Sequence, residues 1–270
     1  MFKGFLKSGQ ARTTVANNQM FAGFPSLSFG NNGNIGGIPT TGLMAWFNPS
    51  VNITLDGSGN VSQWQDTSAT YTFAQSTSTA RPAYVQGDST YNYRPYSTFN
   101  GTNQYLTGAS GLSLQGNTTW QVIIVAKHNS PTNNDRLLQS DIISNDGSYC
   151  VVGVNAIPNW LYQYTNDSGT DIATSSGIGT DTKLHMFSIE IDRAVTGKQY
   201  WSMDSVWRTS SVTIGNSSTV YSSASITLGV SSAISIFTNA FVFDIFFYNS
   251  LLSKSDYLML RGYMGSLYGF

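Results

Sequence analysis

Near the end of the chain, Phe241-Val242-Phe243-Asp244-Ile245-Phe246-Phe247-Tyr248 is an almost unbroken run of aromatic and β-branched residues. The run is too short to cross a membrane and holds a single charge, Asp244, so it reads as a strand buried on both faces. Asn249-Ser250 then turns the chain. Ser253 stands at an N-cap position, with Asp256 three residues later as a short-armed capping box. From Lys254 to Leu267 the apolar residues Tyr257, Leu258, Leu260, Met264 and Leu267 recur at helical spacing, and Gly269 closes the segment. A buried strand running directly into one amphipathic helix, at the end of a strand-rich chain, points to a β-sandwich closed by a helix. Asp244, set within an apolar strand, is expected to be a satisfied structural carboxylate rather than a catalyst.

Upstream the chain reads as many short strands between turn signals. Gly42 to Phe47 forms a first strand, Asp56 to Asn60 a turn, and Val61 to Trp64 another strand. Residues 67 to 93 are polar and irregular. Trp120 to Ala126 is a second buried strand, and Cys150 to Val154 pairs with Asn159 to Tyr164. Leu184 to Ile191 leads through Ala194-Val195-Thr196-Gly197 into Gln199 to Val206 as a hairpin, and Ile226 to Gly229 precedes the final strand. Roughly a dozen strands, one helix and no internal repeat give an all-β chain, a sandwich or a barrel.

Composition limits what such a fold can do. Charged residues make up only 10% of the 270 and the net charge is -1, so neither nucleic acid nor an anionic membrane is implied as a partner. Solubility must come from Ser, Thr, Asn, Gln and Gly. The single cysteine, Cys150, excludes an internal disulfide and lies in an apolar run where a buried, inert thiol is expected. His128 and His185 with one cysteine leave no zinc cluster. Met1 to Lys7 has no apolar stretch after it and is not a secretory signal. The Asn-x-Ser/Thr sequons are read as chance in so Asn-, Ser- and Thr-rich a chain.

Residues 1–40 differ from the remainder. Lys3, Lys7 and Arg12 are balanced by no carboxylate, since the first in the chain is Asp56, and residues 30–37 have a linker's composition. Phe2, Phe5, Leu6, Phe21 and Phe24 are too scattered to enclose a core. The expected division is an assembly arm with a glycine-rich linker over 1–40 and one sandwich domain over 41–270. Phe2, Lys3, Phe5, Leu6, Lys7, Arg12, Phe21 and Phe24 are the residues by which the arm would dock.

Gly42-Leu43-Met44-Ala45-Trp46-Phe47-Asn48-Pro49 followed by Val61-Ser62-Gln63-Trp64-Gln65-Asp66-Thr67-Ser68 resembles the opening of concanavalin A-like (laminin-G-like) lectin/glucanase domains. Arg81-Pro82-Ala83-Tyr84, Arg94-Pro95 and Phe99 to Leu106 are similar to the block that follows. Asp244 to Asn249, Leu252 to Asp256 and Tyr268-Gly269 look like the family's last strand, capped helix and terminus. The resemblance covers about 42 to 270 and is weak between 130 and 220. It departs at Asp244, where the family usually carries Glu, and at Asp204-Ser205, where Asn-Gly is common. It implies a jelly-roll sandwich of two curved antiparallel sheets, with Trp46 and Trp64 packed in the core. The family includes glycan-binding modules, glycosidases and virion proteins, so the resemblance does not choose a function.

Retaining glycosidases need two carboxylates about 5 Å apart. Glu190-Ile191-Asp192 supplies half of the Glu-x-Asp-x-x-Glu pattern of related enzymes, but Val195 stands where the second glutamate belongs and Glu190 is the sole glutamate. The pair is read as solvent-facing, Gly-x-Ser-x-Gly is absent, and no catalysis is expected. Glycan binding fares better, because Trp160, Tyr162 and Tyr164 alternate along one strand with Asn166 and Asp167 just beyond. Tyr91, Tyr93 and Tyr96 form a second aromatic cluster. Related lectins take calcium through Asp and Asn oxygens, for which Asn166, Asp167 and Asp171 are the candidates. With no Asp-x-Asp-x-Asp-Gly loop present, no cofactor is expected.

A lectin-like domain without an export signal, carrying a basic arm, is expected to be a non-enzymatic structural protein of a bacteriophage or similar virus. It would be a capsid-decoration, head-fibre or tail-associated subunit, assembled in the host cytoplasm and localised to the virion. Its partners would be other virion proteins or copies of itself. The alternative is a carbohydrate-binding or adhesion module for surface glycans.

Overall fold

The computed structural model describes residues 34–109, 112, 119–131, 136–140, 149–156, 159–165, 171–192, 198–207, 212–213, 225–230 and 236–270. A hairpin of β1 (Asn34–Ile35) and β2 (Ile38–Pro39) precedes β3 (Leu43–Phe47), β4 (Ile53–Leu55), β5 (Val61–Gln65) and β6 (Thr72–Ala74). Then come β7 (Ala83–Val85), β8 (Tyr96–Asn100), β9 (Leu106–Gly108), β10 (Trp120–His128) and β11 (Arg136–Ser140). The middle of the chain gives β12 (Tyr149–Ala156), β13 (Asn159–Thr165), β14 (Asp171–Gly179), β15 (Leu184–Asp192) and β16 (Lys198–Met203). Last are β17 (Val212–Thr213), β18 (Ile226–Leu228), β19 (Asn239–Tyr248) and the helix α1 (Lys254–Tyr268).

Two antiparallel sheets face each other. The first runs β17-β16-β15-β10-β19-β8-β7, and the second β14-β13-β12-β11-β18-β9-β6-β5-β4. Between them Phe47, Trp64, Phe73, Phe99, Trp120, Val122, Ile124, Phe187, Ile189 and Phe247 form the inter-sheet core. The expected all-β sandwich with a C-terminal helix is the architecture found. It has more strands among the described residues than the dozen expected, because short pieces such as β6 and β7 fall in the segment read as irregular.

The alternate residues of β10 and β19 do not reach water. Ile123 and Val125 of β10, with Phe243, Phe246 and Tyr248 of β19, pack beneath Tyr257, Leu260, Met264 and Tyr268 of α1. This explains why both strands are apolar throughout in an antiparallel sheet, where one wet face is usual. The helix begins as expected: Ser253 Oγ accepts from Asp256 N at 3.1 Å and donates to Asp256 Oδ2 at 2.7 Å. Gly269, at φ +79°, ends it. The buried stripe is Tyr257, Leu260, Met264 and Tyr268, whereas Leu258 is exposed.

β19 is the centre of the first sheet. On one edge it pairs with β10, and on the other with β8 through Asn239–Val242 and with β3 through Ile245–Tyr248. Where its partner changes, the strand bulges. Ile124 pairs with Ile245 and Ala126 with Val242, so Phe243 and Asp244 together oppose Val125. The extra residue puts both side chains on the helix side. Asp244 there accepts from Trp46 Nε1 at 2.7 Å and from the Tyr268 hydroxyl. It is a satisfied structural group, as expected. The bulge also corrects the reading of Trp46, which lies half-buried on the helix side, stacked on Phe246 at 5.7 Å, while Trp64 is buried in the inter-sheet core.

Two further devices set the ends of the domain. Asp66, in the Trp-x-Asp-x-Ser turn, accepts from the backbone of Ser68, Thr70 and Tyr71 at 2.7–3.0 Å and from Ser68 Oγ at 2.6 Å. Gly36-Gly37, within the stretch with a linker's composition, form the turn of the β1-β2 hairpin. Gly37 has φ +96°, and a Cβ there would meet Tyr263 Cβ at 2.9 Å, so only glycine lets the hairpin lie against α1.

Candidate functional site

Three places deserve the name of candidate: the Glu190 position, the outer face of the second sheet, and a cleft beside α1. The Glu190 reading changes first. β15 shows Ile189 and Ile191 to the inter-sheet core and turns Ser188, Glu190 and Asp192 to the helix side. Glu190 and Asp192 do not face solvent; Glu190 is fully buried and Asp192 is nearly so. Glu190 Oε1 accepts from Ser202 Oγ at 2.8 Å and from Gln121 Nε2 at 3.3 Å. Gln121 Nε2 also donates to Ser188 Oγ at 2.9 Å, and Gln121 Oε1 accepts from Leu252 N at 2.8 Å. The network ties β10, β15 and β16 to the segment entering α1. A substrate cannot reach this carboxylate without displacing that segment.

Among the described residues no helix lies over the second sheet. Its register aligns Thr54, Gln63, Ala74, Thr107, Thr227 and Gln139 in one row across β4, β5, β6, β9, β18 and β11. These residues alternate with the core set Trp64, Phe73, Leu106, Leu138 and Leu228, so the row lies on the side away from the core. It carries hydroxyls and amides and no ion; Thr227 is fully buried, its hydroxyl turned to the Gln139 and Val230 carbonyls, whereas Thr54, Gln63, Thr107 and Gln139 are exposed or half-exposed. Hydrogen-bonding register continues it through Cys150 and Gln163 to Ala173, into β12, β13 and β14. Trp160, Tyr162 and Tyr164 occupy alternate positions of β13 that are out of phase with Gln163, so the strand's alternation sets them apart from the row. Asn166 and Asp167 lie outside the described residues, and Asp171 opens β14.

The other aromatic cluster is brought together only in part, Tyr91 and Tyr96 meeting edge to face at 5.5 Å. Tyr91 and Tyr96 are buried on the helix side against Phe243, at 4.9 and 5.0 Å, and Tyr93 alone is exposed, at 74%. The arm residues Phe2, Lys3, Phe5, Leu6, Lys7, Arg12, Phe21 and Phe24 lie outside the described residues. Among the described residues no group of three or more His, Cys, Asp and Glu is placed to hold a metal.

The cleft was not legible from the sequence. It has a volume of about 600 Å³ and lies between the C-terminal end of α1, the end of β10 and the start of β15. Lys127, Lys183, His185, Asp204 and Arg261 line it, beside Tyr91 and Phe270. His185 sits between two carboxylates, with Nδ1 at 2.5 Å from Asp204 Oδ2 and Nε2 at 2.7 Å from Asp181 Oδ1. Burial alone would push the imidazole down, but the bonds to Asp204 and Asp181 hold it above its ordinary value. Asp181 is held below the usual carboxylate range by the Lys183 backbone N–H and by His185, against the opposing effect of its partial burial. Asp204 Oδ1 also accepts from Met186 N at 2.9 Å, which fixes the turn after β16 to the start of β15.

No family model matches the chain, and no curated protein does. Solved structures do. Domain 4 of AbnA, a GH43 extracellular arabinanase from Geobacillus stearothermophilus solved in complex with arabinotriose, superposes with a TM-score of 0.61 at 13% identity. That match takes in 81% of this chain and 98% of the other. Trypanosoma rangeli sialidase in complex with sialic acid gives 0.54 at 13% identity over 85% of this chain and 34% of that one. The binding domain of botulinum neurotoxin serotype G gives 0.55 at 11% identity over 83% and 51%. The chain thus spans about a third of the sialidase and half of the toxin domain. At such identities the likeness is one of fold, a β-sandwich shared with proteins that handle sugars and with a toxin's binding domain.

Proposed function

We propose that this chain is a carbohydrate-binding β-sandwich of the concanavalin A-like type, and that it binds without catalysing. The observation that carries the reading is the uncharged row across the outer face of the second sheet. Sugars present hydroxyls on both sides of a ring, and amide and hydroxyl side chains match them without the desolvation cost of burying ions. The row leads by register to Gln163 of β13, and the alternate positions Trp160, Tyr162 and Tyr164 are out of phase with it, so they form a separate candidate surface on the other face of that strand. The whole-domain likeness to an arabinanase domain solved with arabinotriose supports the class of ligand. The absence of catalysis rests on Glu190, whose carboxylate is enclosed in a structural network.

The test is a glycan array of the full chain that includes arabino-oligosaccharides and sialylated sugars, run beside Gln63→Ala and Trp160→Ala. Binding that Gln63→Ala weakens is the expected result; binding abolished by Trp160→Ala alone would move the site to the other face of β13, and no binding to any sugar sinks the reading. Hydrolysis of a bound sugar that disappears in Glu190→Gln would overturn the non-catalytic part.

A finer reading sets this module on a virus particle, with residues 1–40 as its anchor to other virion proteins or to copies of itself. It is supported by the arm's composition, basic and without a carboxylate before Asp56. Particles assembled with a chain lacking residues 2–24 should lose the protein from purified virions, and undiminished incorporation would remove this reading.

A further inference from the structure

The protein is poor in charge, with thirteen lysines and arginines in 270 residues, yet Lys127, Lys183 and Arg261 all line the one cleft beside α1. None of the three forms a salt bridge with a described carboxylate. Elsewhere the described cation Arg81 is paired, with Asp56 at 3.0 Å. The carboxylates nearest the cleft are already engaged. Asp181 and Asp204 hold His185, and Asp244 holds Trp46 and Tyr268. Lys127 Nζ has only neutral company, the Tyr91 hydroxyl at 3.3 Å and the Phe241 ring at 5.2 Å. Arg261 lies over the Phe270 ring, and its Nε is buried without an acceptor. A buried guanidinium N–H with no acceptor is costly, and an oxyanion in the cleft would supply one.

We infer that this cleft is a second binding site, for a sugar that carries an oxyanion, a carboxylate or a sulfate. Lys127, Lys183 and Arg261 would hold the anion, and the aromatic rings of Tyr91 and Phe270 would flank the ring bearing it. The cations come from three separate parts of the chain and converge where the neighbouring acids, Asp181 and Asp204, are already bonded to His185, an arrangement that suits recognition of an anion. The choice of a sugar as carrier rests on the carbohydrate-binding reading above. The cleft is on the opposite side of the first sheet from the uncharged face, so the two sites are separable by mutation.

The experiment uses the full chain and titrates galactotriose, trigalacturonic acid and galactose 6-sulfate by calorimetry, at low and high salt. An acidic sugar should bind, weaken with salt, and weaken about tenfold for each cation removed in Lys183→Ala and Arg261→Ala. Trigalacturonic acid alone binding assigns the carboxylate, and the sulfate binding alone assigns the other. Lys183 is exposed, so Lys183→Ala reads the site even where Arg261→Ala fails to fold. Neutral sugar bound and acidic sugar ignored overturns this inference and leaves the binding function standing. Acidic sugar bound equally well by Lys183→Ala and by wild type, at both salts, also overturns it. No sugar of any kind bound overturns both.

Discussion

The two sheets of this sandwich share one core and differ in what lies behind them. Behind the first is α1, and there even the polar side chains are dry: Gln121, Ser188, Glu190, Ser202 and Asp244 are all buried and bonded to one another or to the helix and its lead-in. In the second, β5 buries Val61 and Trp64 and leaves Ser62, Gln63 and Gln65 half-exposed. The difference teaches that the same antiparallel pairing can serve two purposes. A covered face is specified by its polar groups, each of which must find a partner, whereas an uncovered face leaves its polar groups available to a ligand.

The sharpest test of the contrast is truncation on each side. Phe246→Ala removes a ring packed between Trp46 and α1 and should cost about 3–5 kcal/mol, read as a drop in the urea midpoint. A cost under about 1 kcal/mol would mean that the helix does not close that face.

Asp244 gives the covered side a pH signature. Burial pushes its carboxyl up to about 6 from 3.8, against the lowering effect of Tyr268 and Trp46. The folded state therefore keeps a proton that the unfolded chain has lost. Stability should fall as pH rises from about 4 to about 6, by up to about 3 kcal/mol. Asp244→Asn should flatten that decline in denaturation curves taken at pH 4 and pH 7. A wild type that gains stability across this window contradicts the assignment. His185 acts at a higher window. Held above its ordinary value, it stabilises fully below pH 6.5 and loses that contribution as pH rises through its folded pKa. His185→Gln should remove this later decline and leave the earlier one.

Smaller effects follow from the networks themselves. Glu190→Ala strands Ser202 and Gln121 in a dry setting and should cost about 2 kcal/mol in chemical denaturation. Gln63→Ala, on the open face, should change stability by no more than about 0.5 kcal/mol while weakening sugar binding. Equal costs for the two would erase the distinction between the faces.

Much of the fold could be read from local pattern. Phe241 to Tyr248 and Trp120 to Ala126 were legible as strands buried on both faces because every residue in them but Asp244 and Gln121 is apolar. The helix was legible because Ser253, Asp256 and Gly269 mark its ends. Glu190 misled, because β15 alternates like a strand with one wet face. What covers it, the segment at Leu252 and α1, lies some sixty residues away, beyond the reach of any period. Trp46 misled for a related reason: the residue that decides its side is the bulge in β19. The cleft left no signature at all, since Lys127, Lys183 and Arg261 stand on three elements and meet only in space.

The extra residue in β19 also guards against misassembly. Up to Val242 the strand alternates in one phase and from Ile245 onward in the other. A β19 that docked on β10 one residue out of place could satisfy one half only by inverting the other, carrying Phe246 or Asp244 into the inter-sheet core. A uniformly alternating strand of the same apolar make-up would have several tolerable alignments with β10. This one has a single alignment, marked by the bulge.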